Sequence, residues 1–177
     1  MKKFIASTPN AEVLGESILG YKKCIKHDEI EPILLKYELH DVRAEDWYSH
    51  QMILNVLRDI EERKSNVSES LVAVGIKIME LATIPESVNS IEAVLQSLGV
   101  VYHLHHRNVS EIGWSVKSLG PRHMHVIPDQ PYPEDLTYGV VWGAVKRFKS
   151  MGSMFTVIPI NWKNDQAPTF YDVEWDV

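Results

Sequence analysis

The chain has 177 residues, of which 45% are hydrophobic and 24% charged, and its formal net charge is −6. These values are typical of one packed globular domain and exclude a disordered or collagen-like chain. The acidic balance argues against a nucleic-acid partner, because such a surface neutralises phosphates with Lys and Arg. The single cysteine, Cys24, cannot form an internal disulfide, so we expect a reducing, cytoplasmic location. No apolar run approaches the ~20 residues that a membrane span needs.

The first half of the chain carries apolar residues at helical spacing. They predict a helix over 12–26 behind a cap at Asn10, a brief apolar segment over 29–37, and a long amphipathic helix over 45–63. The first half is therefore expected to form a layer of helices.

Two further helices complete this layer. The run from Leu71 to Leu81 is apolar nearly all round, which is typical of a central helix. Gly75 lowers its helix propensity by about 1 kcal/mol relative to Ala, so we expect a neighbouring element to come close there. The last helix, over 90–98, is expected to end at Gly99 as a C-terminal cap.

The second half changes to a period of two, which predicts strands. They are expected over 100–106, 112–118, 122–127, 154–162 and 169–177, and the first three should form a meander. A helix over 133–149 crosses between the third and the fourth strand. The fold class is therefore α+β: a single domain over 1–177, with a helical part over 1–98 packed on a sheet part over 99–177, whose antiparallel sheet has about four to five strands.

Alternation gives each predicted strand an apolar and a polar side. The apolar side, expected to face the helices, carries Tyr102, Leu104, Trp114, Val116, Met124, Val126, Tyr171, Val173 and Trp175. The polar side carries His103, His105, Ser115, Lys117, His123, His125, Asp172, Glu174 and Asp176. One face is thus predicted as core, and the other meets water or a second chain.

The histidines of the polar side have two interpretations. Two His-x-His pairs, His103 with His105 and His123 with His125, have the spacing from which metal sites are built. In a meander, however, the two pairs stand roughly 9.6 Å apart with Lys117 between them. We therefore predict a polar or dimer-facing sheet with no metal ligand. His106 and Arg107, at the strand end, are interpreted as ordinary turn-edge residues.

The start of the late helix suggests a ligand cavity. Gly139 and Gly143 lie on one side of this helix, where missing side chains let its backbone approach the sheet closely. Tight packing alone explains them, and the alternative is a helix that also lines a cavity with aromatic neighbours. The candidate ligand-binding residues are Tyr102, Trp114, Tyr132, Tyr138, Gly139, Trp142, Gly143 and Trp175.

The pattern resembles the superfamily that unites the four-vinyl reductase domain, the heme nitric-oxide/oxygen-binding domain and the Bet3-type subunits of a vesicle-tethering complex. The resemblance rests on the strand meander, on Pro133-x-Asp135-x-x-x-Gly139-x-x-x-Gly143, and on a closing strand of alternating aromatic and acidic residues. It implies an α+β domain whose helices and sheet enclose an apolar cavity, used in relatives for heme, hydrocarbon-like ligands or acyl chains.

The resemblance does not extend to the cofactors of these branches. The heme branch is marked by a proximal His before the sheet and by Tyr-x-Ser-x-Arg. The nearest match here, Gly113-x-Ser115-x-Lys117, lacks Tyr and Arg, and no His occurs between Glu69 and Leu98. Cysteines that hold a metal near the end of the four-vinyl reductase branch are also missing, since Cys24 is the single cysteine. The cofactor is therefore unknown.

Three functions are compatible with the sequence. The first is a non-enzymatic binding or sensory module of bacterial signalling, which buries a small apolar molecule between the central helices and the sheet. The second is a homodimeric interaction or scaffold protein. The third is a sensor that holds heme or a His-bound metal. Gly-x-Ser-x-Gly, His-Glu-x-x-His and a phosphate-binding Gly-rich loop are absent from the sequence, so an enzyme is disfavoured.

Overall fold

The computed structural model describes residues 3–25, 27–62, 67–162 and 167–176. The helices are α1 Gly15–Cys24, α2 His27–Lys36, α3 His50–Glu62, α4 Val67–Leu81, α5 Ile91–His105 and α6 Glu134–Phe148. The strands are β1 Glu12–Leu14, β2 Trp47–Ser49, β3 His106–Arg107, β4 Gly113–Gly120, β5 His123–Asp129, β6 Phe155–Ile160 and β7 Phe170–Trp175. None of the described helices is both long and apolar enough to cross a lipid bilayer.

The strands form two antiparallel sheets. A small sheet has the order β2-β1-β3, and the C-terminal sheet has the order β4-β5-β7-β6. Five helices precede the larger sheet, and α6 crosses between its strands β5 and β6. The α+β prediction, with a helical first part and a C-terminal antiparallel sheet, is confirmed.

The strand predicted over 100–106 is wrong, because α5 continues through Gly99 to His105. Leu98, Val101 and Tyr102 are buried, while Leu104 is 52% exposed, so the apolar face follows the helical period. A β-carbon on Gly99 would lie 3.1 Å from the carbonyl oxygen of Trp114, so this glycine allows close contact with β4 and does not end the helix. The sheet part therefore begins after α5, and His103 and His105 lie on a helix.

The beginnings of two other predicted helices are strands. Residues 12–14 form β1 and residues 47–49 form β2, and β1 pairs with both β2 and β3. Asn10 is therefore not the cap of α1, which begins at Gly15. Strands of two or three residues carry too little alternation to be separated from an adjoining helix by pattern.

The side-chain alternation predicted for the larger sheet holds in β4, β5 and β7. Trp114, Met124, Val126, Tyr171 and Val173 are buried against the helices. The polar side chains of the same strands lie on the opposite face of the sheet. The sheet is thus covered on one side, and β5 lies between β4 and β7.

The described residues form two apolar clusters joined at the contact between α4 and α6. One lies among α1 to α4 and the other lies between α5, α6 and the larger sheet. A β-carbon on Gly139 would lie 2.2 Å from the carbonyl oxygen of Val72, and one on Gly75 would lie 2.3 Å from that of Leu136. The close approach expected at Gly75 and Gly139 therefore exists, but the element that approaches Gly139 is α4 and not the sheet.

Candidate functional site

A pocket of about 80 Å³ lies where the helical part meets the sheet part. Its walls come from α1, α4, α5, the start of β4, and the beginning of α6. Most of the lining is apolar or aromatic: Tyr21, Ile78, Met79, Leu98, Val101, Tyr102, Trp114, Tyr132, Leu136 and Val140. Glu16, Ser17, Leu81 and His105, which also line it, are partly or largely exposed and mark its opening to solvent.

Small residues shape the helical wall of the pocket. Gly20 of α1 faces Ile78 of α4, and a β-carbon on the glycine would lie 3.2 Å from Cγ1 of Ile78. The close contact of α4 with α6 brings Met79 and Val140 to the same cavity. The pocket is therefore the space that remains where α1, α4 and α6 approach one another.

Polar groups occupy the inner end of the pocket. Nε2 of His106 lies 2.6 Å from the hydroxyl of Tyr132, and its Nδ1 lies 2.9 Å from the carbonyl oxygen of Tyr102. The ring of Tyr102 stacks on that of His106 with centroids 3.9 Å apart, and its hydroxyl donates to Glu111 Oε1 at 2.6 Å. These four residues form one connected network, here called the His106 network.

His50 lies beside the His106 network. Its ring centroid is 5.1 Å from that of His106 and 5.3 Å from that of Tyr132. His50 is 0% exposed, and neither of its ring nitrogens has a hydrogen-bond partner among the described residues. Nε2 of Gln130, a residue that lines the pocket, is also buried without a partner in the described part of the chain.

Burial sets the protonation of this region. It lowers the pKa of His50 from 6.5 to about 4, and it lowers the pKa of His106 well below its usual value. Burial also acts to raise the pKa of Glu111, but hydrogen bonds from Ser7 and Tyr102 outweigh it and the pKa is lowered. Near pH 7 the two histidines are therefore neutral and Glu111 is a carboxylate.

Three of the predicted ligand-binding residues line the pocket, and five lie outside its lining. Tyr102, Trp114 and Tyr132 come together there. Tyr138 packs on Trp162 and Tyr171, and Trp142 packs on Phe155. The remaining three are in the contact between α4 and α6 or at the end of β7: Gly139, Gly143 and Trp175.

The interpretation of His106 as a turn-edge residue is wrong, since it is 7% exposed and is central to the network. His50 and Glu111 are also buried, which was not predicted from the sequence. His50 directly precedes an apolar helical face that includes Ile53, Leu54 and Leu57, and that spacing was the signal available for its burial. Glu111 carried no comparable signal, because it lies in the loop before β4.

No protein-family profile matches the chain, and no curated protein matches it. Several solved structures, in contrast, match the chain in fold. An H-NOX protein from S. oneidensis in the Fe(II)NO ligation state aligns with a TM-score of 0.69 at 12% identity, over 93% of this chain and 99% of that chain. The Fe(II) unliganded H-NOX protein from K. algicida aligns with a TM-score of 0.68 at 9% identity, over 93% and 97%.

The chain has the H-NOX fold. The heme nitric-oxide-binding part of the predicted resemblance is thus confirmed for the fold, and the grouping with the four-vinyl reductase and Bet3-type domains stays a prediction. Identities of 9% and 12% carry no residue roles from these structures to this chain. The H-NOX fold here encloses the pocket described above.

Proposed function

We propose that the chain is a non-enzymatic binding or sensory module whose ligand is a small apolar molecule. The observation that carries the proposal is the pocket between α1, α4, α5 and α6, with its apolar and aromatic lining. Burying apolar surface supplies about 25 cal/mol per Å². The few polar groups of the lining, such as those of Gln130 and Thr137, would set the orientation of the ligand.

The volume of the pocket favours a ligand of a few heavy atoms. A volume of about 80 Å³ is roughly half of the ~150 Å³ that accommodates benzene in an engineered apolar cavity. It is also well below the ~300–1,000 Å³ of pockets for drug-sized ligands. The proposal therefore favours small apolar molecules or dissolved gases over acyl chains.

Heme, with which a solved structure of the same fold is described, does not fit the volume of this pocket. Heme iron needs an axial side chain with a free ligand atom. Both nitrogens of His106 are engaged, whereas His105 of α5 has Nδ1 on the carbonyl oxygen of Val101 and keeps Nε2, 3.5 Å from Glu16, as a ligand atom. The obstacle is therefore size, because the pocket is too small for a ligand of the size of a porphyrin.

Xenon provides a direct test of the proposal. We expect amide resonances of residues around the pocket to shift saturably when the protein is placed under xenon pressure, and the melting temperature to rise with the pressure. Val140→Phe, which puts a large ring into the pocket, should abolish both effects. Val88→Phe changes a half-buried valine outside the lining and should retain them. Shifts that do not saturate, or that persist in Val140→Phe, would refute the proposal.

A further inference from the structure

The outer face of the larger sheet, remote from the pocket, carries a second cluster of polar side chains. His123 and His125 project from β5 to the same side because they are two residues apart. In the antiparallel register of β5 and β7, His125 is opposite Asp172 and His123 is opposite Glu174. The sheet thus brings two imidazoles and two carboxylates together on one face.

We propose that His123, His125 and Asp172 form a binding site for a divalent transition-metal ion, with Zn²⁺ as the first candidate. Nε2 of His123 lies 2.6 Å from Oδ1 of Asp172, and Nε2 of His125 lies 3.3 Å from the same oxygen. One ligand atom from each of the three residues lies within 4.8 Å of the others. Imidazole and carboxylate ligands suit Zn²⁺ and neighbouring metals of the first row.

The spacing is close to that of a bound ion. Ligand atoms at about 2.0–2.1 Å from a tetrahedral Zn²⁺ are about 3.3 Å from one another. The His125 to Asp172 separation already has this value, and the His123 to Asp172 separation needs to lengthen by less than 1 Å, which a small rotation of either side chain achieves. The ring of Phe170 lies 4.6 Å from that of His125 and limits the orientations of this imidazole.

The surroundings also favour a cation that can enter and leave. The three side chains are between 26% and 33% exposed, so the ion can reach them from solvent. Oε1 of Glu174 lies 3.5 Å from Nε2 of His123 and adds a second negative charge. Lys117, opposite His125 on β4, is exposed, and its long side chain can extend into water.

The prediction of no metal ligand assumed that His103 and His105 lie on a strand over 100–106, separated from β5 by β4. That segment is helical, and the strand next to β5 on its other side is β7. Asp172 of β7 therefore supplies the third ligand, beside His123 and His125 of β5. Three protein ligands leave a coordination position for water or for a small anionic or carbonyl-containing ligand.

Titration of the metal-free chain with Co²⁺, followed by its visible ligand-field absorption and by displacement with Zn²⁺, tests the proposal. We expect one equivalent to bind, and His125→Gln or Asp172→Asn to weaken binding at least about tenfold. His103→Gln, which changes an exposed histidine of α5, should bind as the unchanged chain does. Circular dichroism of the metal-free variants checks that they are folded.

Paramagnetic broadening by Co²⁺ in the unchanged chain gives a second readout that needs no variant. We expect the broadened amide resonances to belong to β5 and β7. Equal Co²⁺ affinity in Asp172→Asn, or broadening centred elsewhere, would overturn the site. The xenon experiment addresses the pocket, so either proposal can fail without the other.

Discussion

The hydroxyl of Tyr132 lies 2.6 Å from Nε2 of His106, and this contact joins the segment before α6 to the end of α5. Tyr132→Phe removes the partner of a buried ring nitrogen, which costs roughly 1–3 kcal/mol of folding free energy. Urea unfolding should show this loss. Tyr138→Phe, which deletes a hydroxyl outside the pocket lining, is the matched control and should cost less. Equal losses would show that the His106 contact contributes nothing specific.

His50 should make the stability depend on pH. Its pKa is about 4 in the folded chain and 6.5 as an ordinary histidine, so on acidification the unfolded chain binds a proton first. The stabilisation is fully present above pH 6.5 and falls between pH 6.5 and about 4, by roughly 3 kcal/mol in all. The free energy of unfolding, measured at a series of pH values, checks this.

His50→Leu separates the pH dependence due to His50 from that due to His106. The lowered pKa of His106 also reduces the free energy of unfolding at acidic pH. The variant should gain stability relative to the unchanged chain as the pH falls from 6.5 to 4. His103→Gln, at an exposed position, should leave the profile unchanged. Parallel pH profiles for His50→Leu and the unchanged chain would contradict the burial of a neutral His50.

The contact of α4 with α6 should tolerate no side chain at Gly139. A β-carbon there would lie 2.2 Å from a backbone oxygen, so Gly139→Leu forces the helices apart and should destabilise the fold by roughly 1–3 kcal/mol. Thermal unfolding measures the effect. Gly120→Ala is the control, because no atom lies within 4 Å of its added β-carbon and the fold should keep its stability. An unchanged melting temperature in Gly139→Leu would refute close packing here.

Heme titration of the purified chain should give no sharp Soret band at one equivalent. The physical reason is the small pocket, which at about 80 Å³ cannot hold a porphyrin without displacing its walls. The S. oneidensis H-NOX protein, solved in an Fe(II)NO state, is a suitable positive control. Stoichiometric uptake with a sharp band would support the heme sensor and exclude the small-ligand proposal in its present form.

The sequence predicted the fold class, the central helix, the late helix and four of the strands, because their hydrophobic periods extend over six or more residues. The prediction failed over 100–106, where an apolar run that ends in polar residues fits both the helical and the strand period. The burial of Val101 and Tyr102 beside an exposed Leu104 decides for the helix, and only packing shows it. This one error also placed His106 at a strand end, and it placed His103 and His105 on the polar face of the sheet.

The candidate site was predictable in part. Aromatic residues at Tyr102, Trp114 and Tyr132 were named, and they meet at the pocket. The walls supplied by α1 and α4 were not predicted, because Tyr21 and Ile78 belong to ordinary apolar helix faces. Long-range contacts decide which member of such a face meets a cavity, and periodicity carries no information about them.

The small sheet connects the two ends of the pocket wall. β1 leads directly into α1, and β3 directly continues α5, and these two helices contribute Tyr21 and Tyr102 to the lining. The strands are paired, and Nε of Arg107 lies 2.6 Å from Oε2 of Glu12 across the pair. A ligand large enough to push α1 away from α5 would therefore also strain the pairing of β1 with β3. The distance between Arg107 and Glu12, at the surface, would report on that separation.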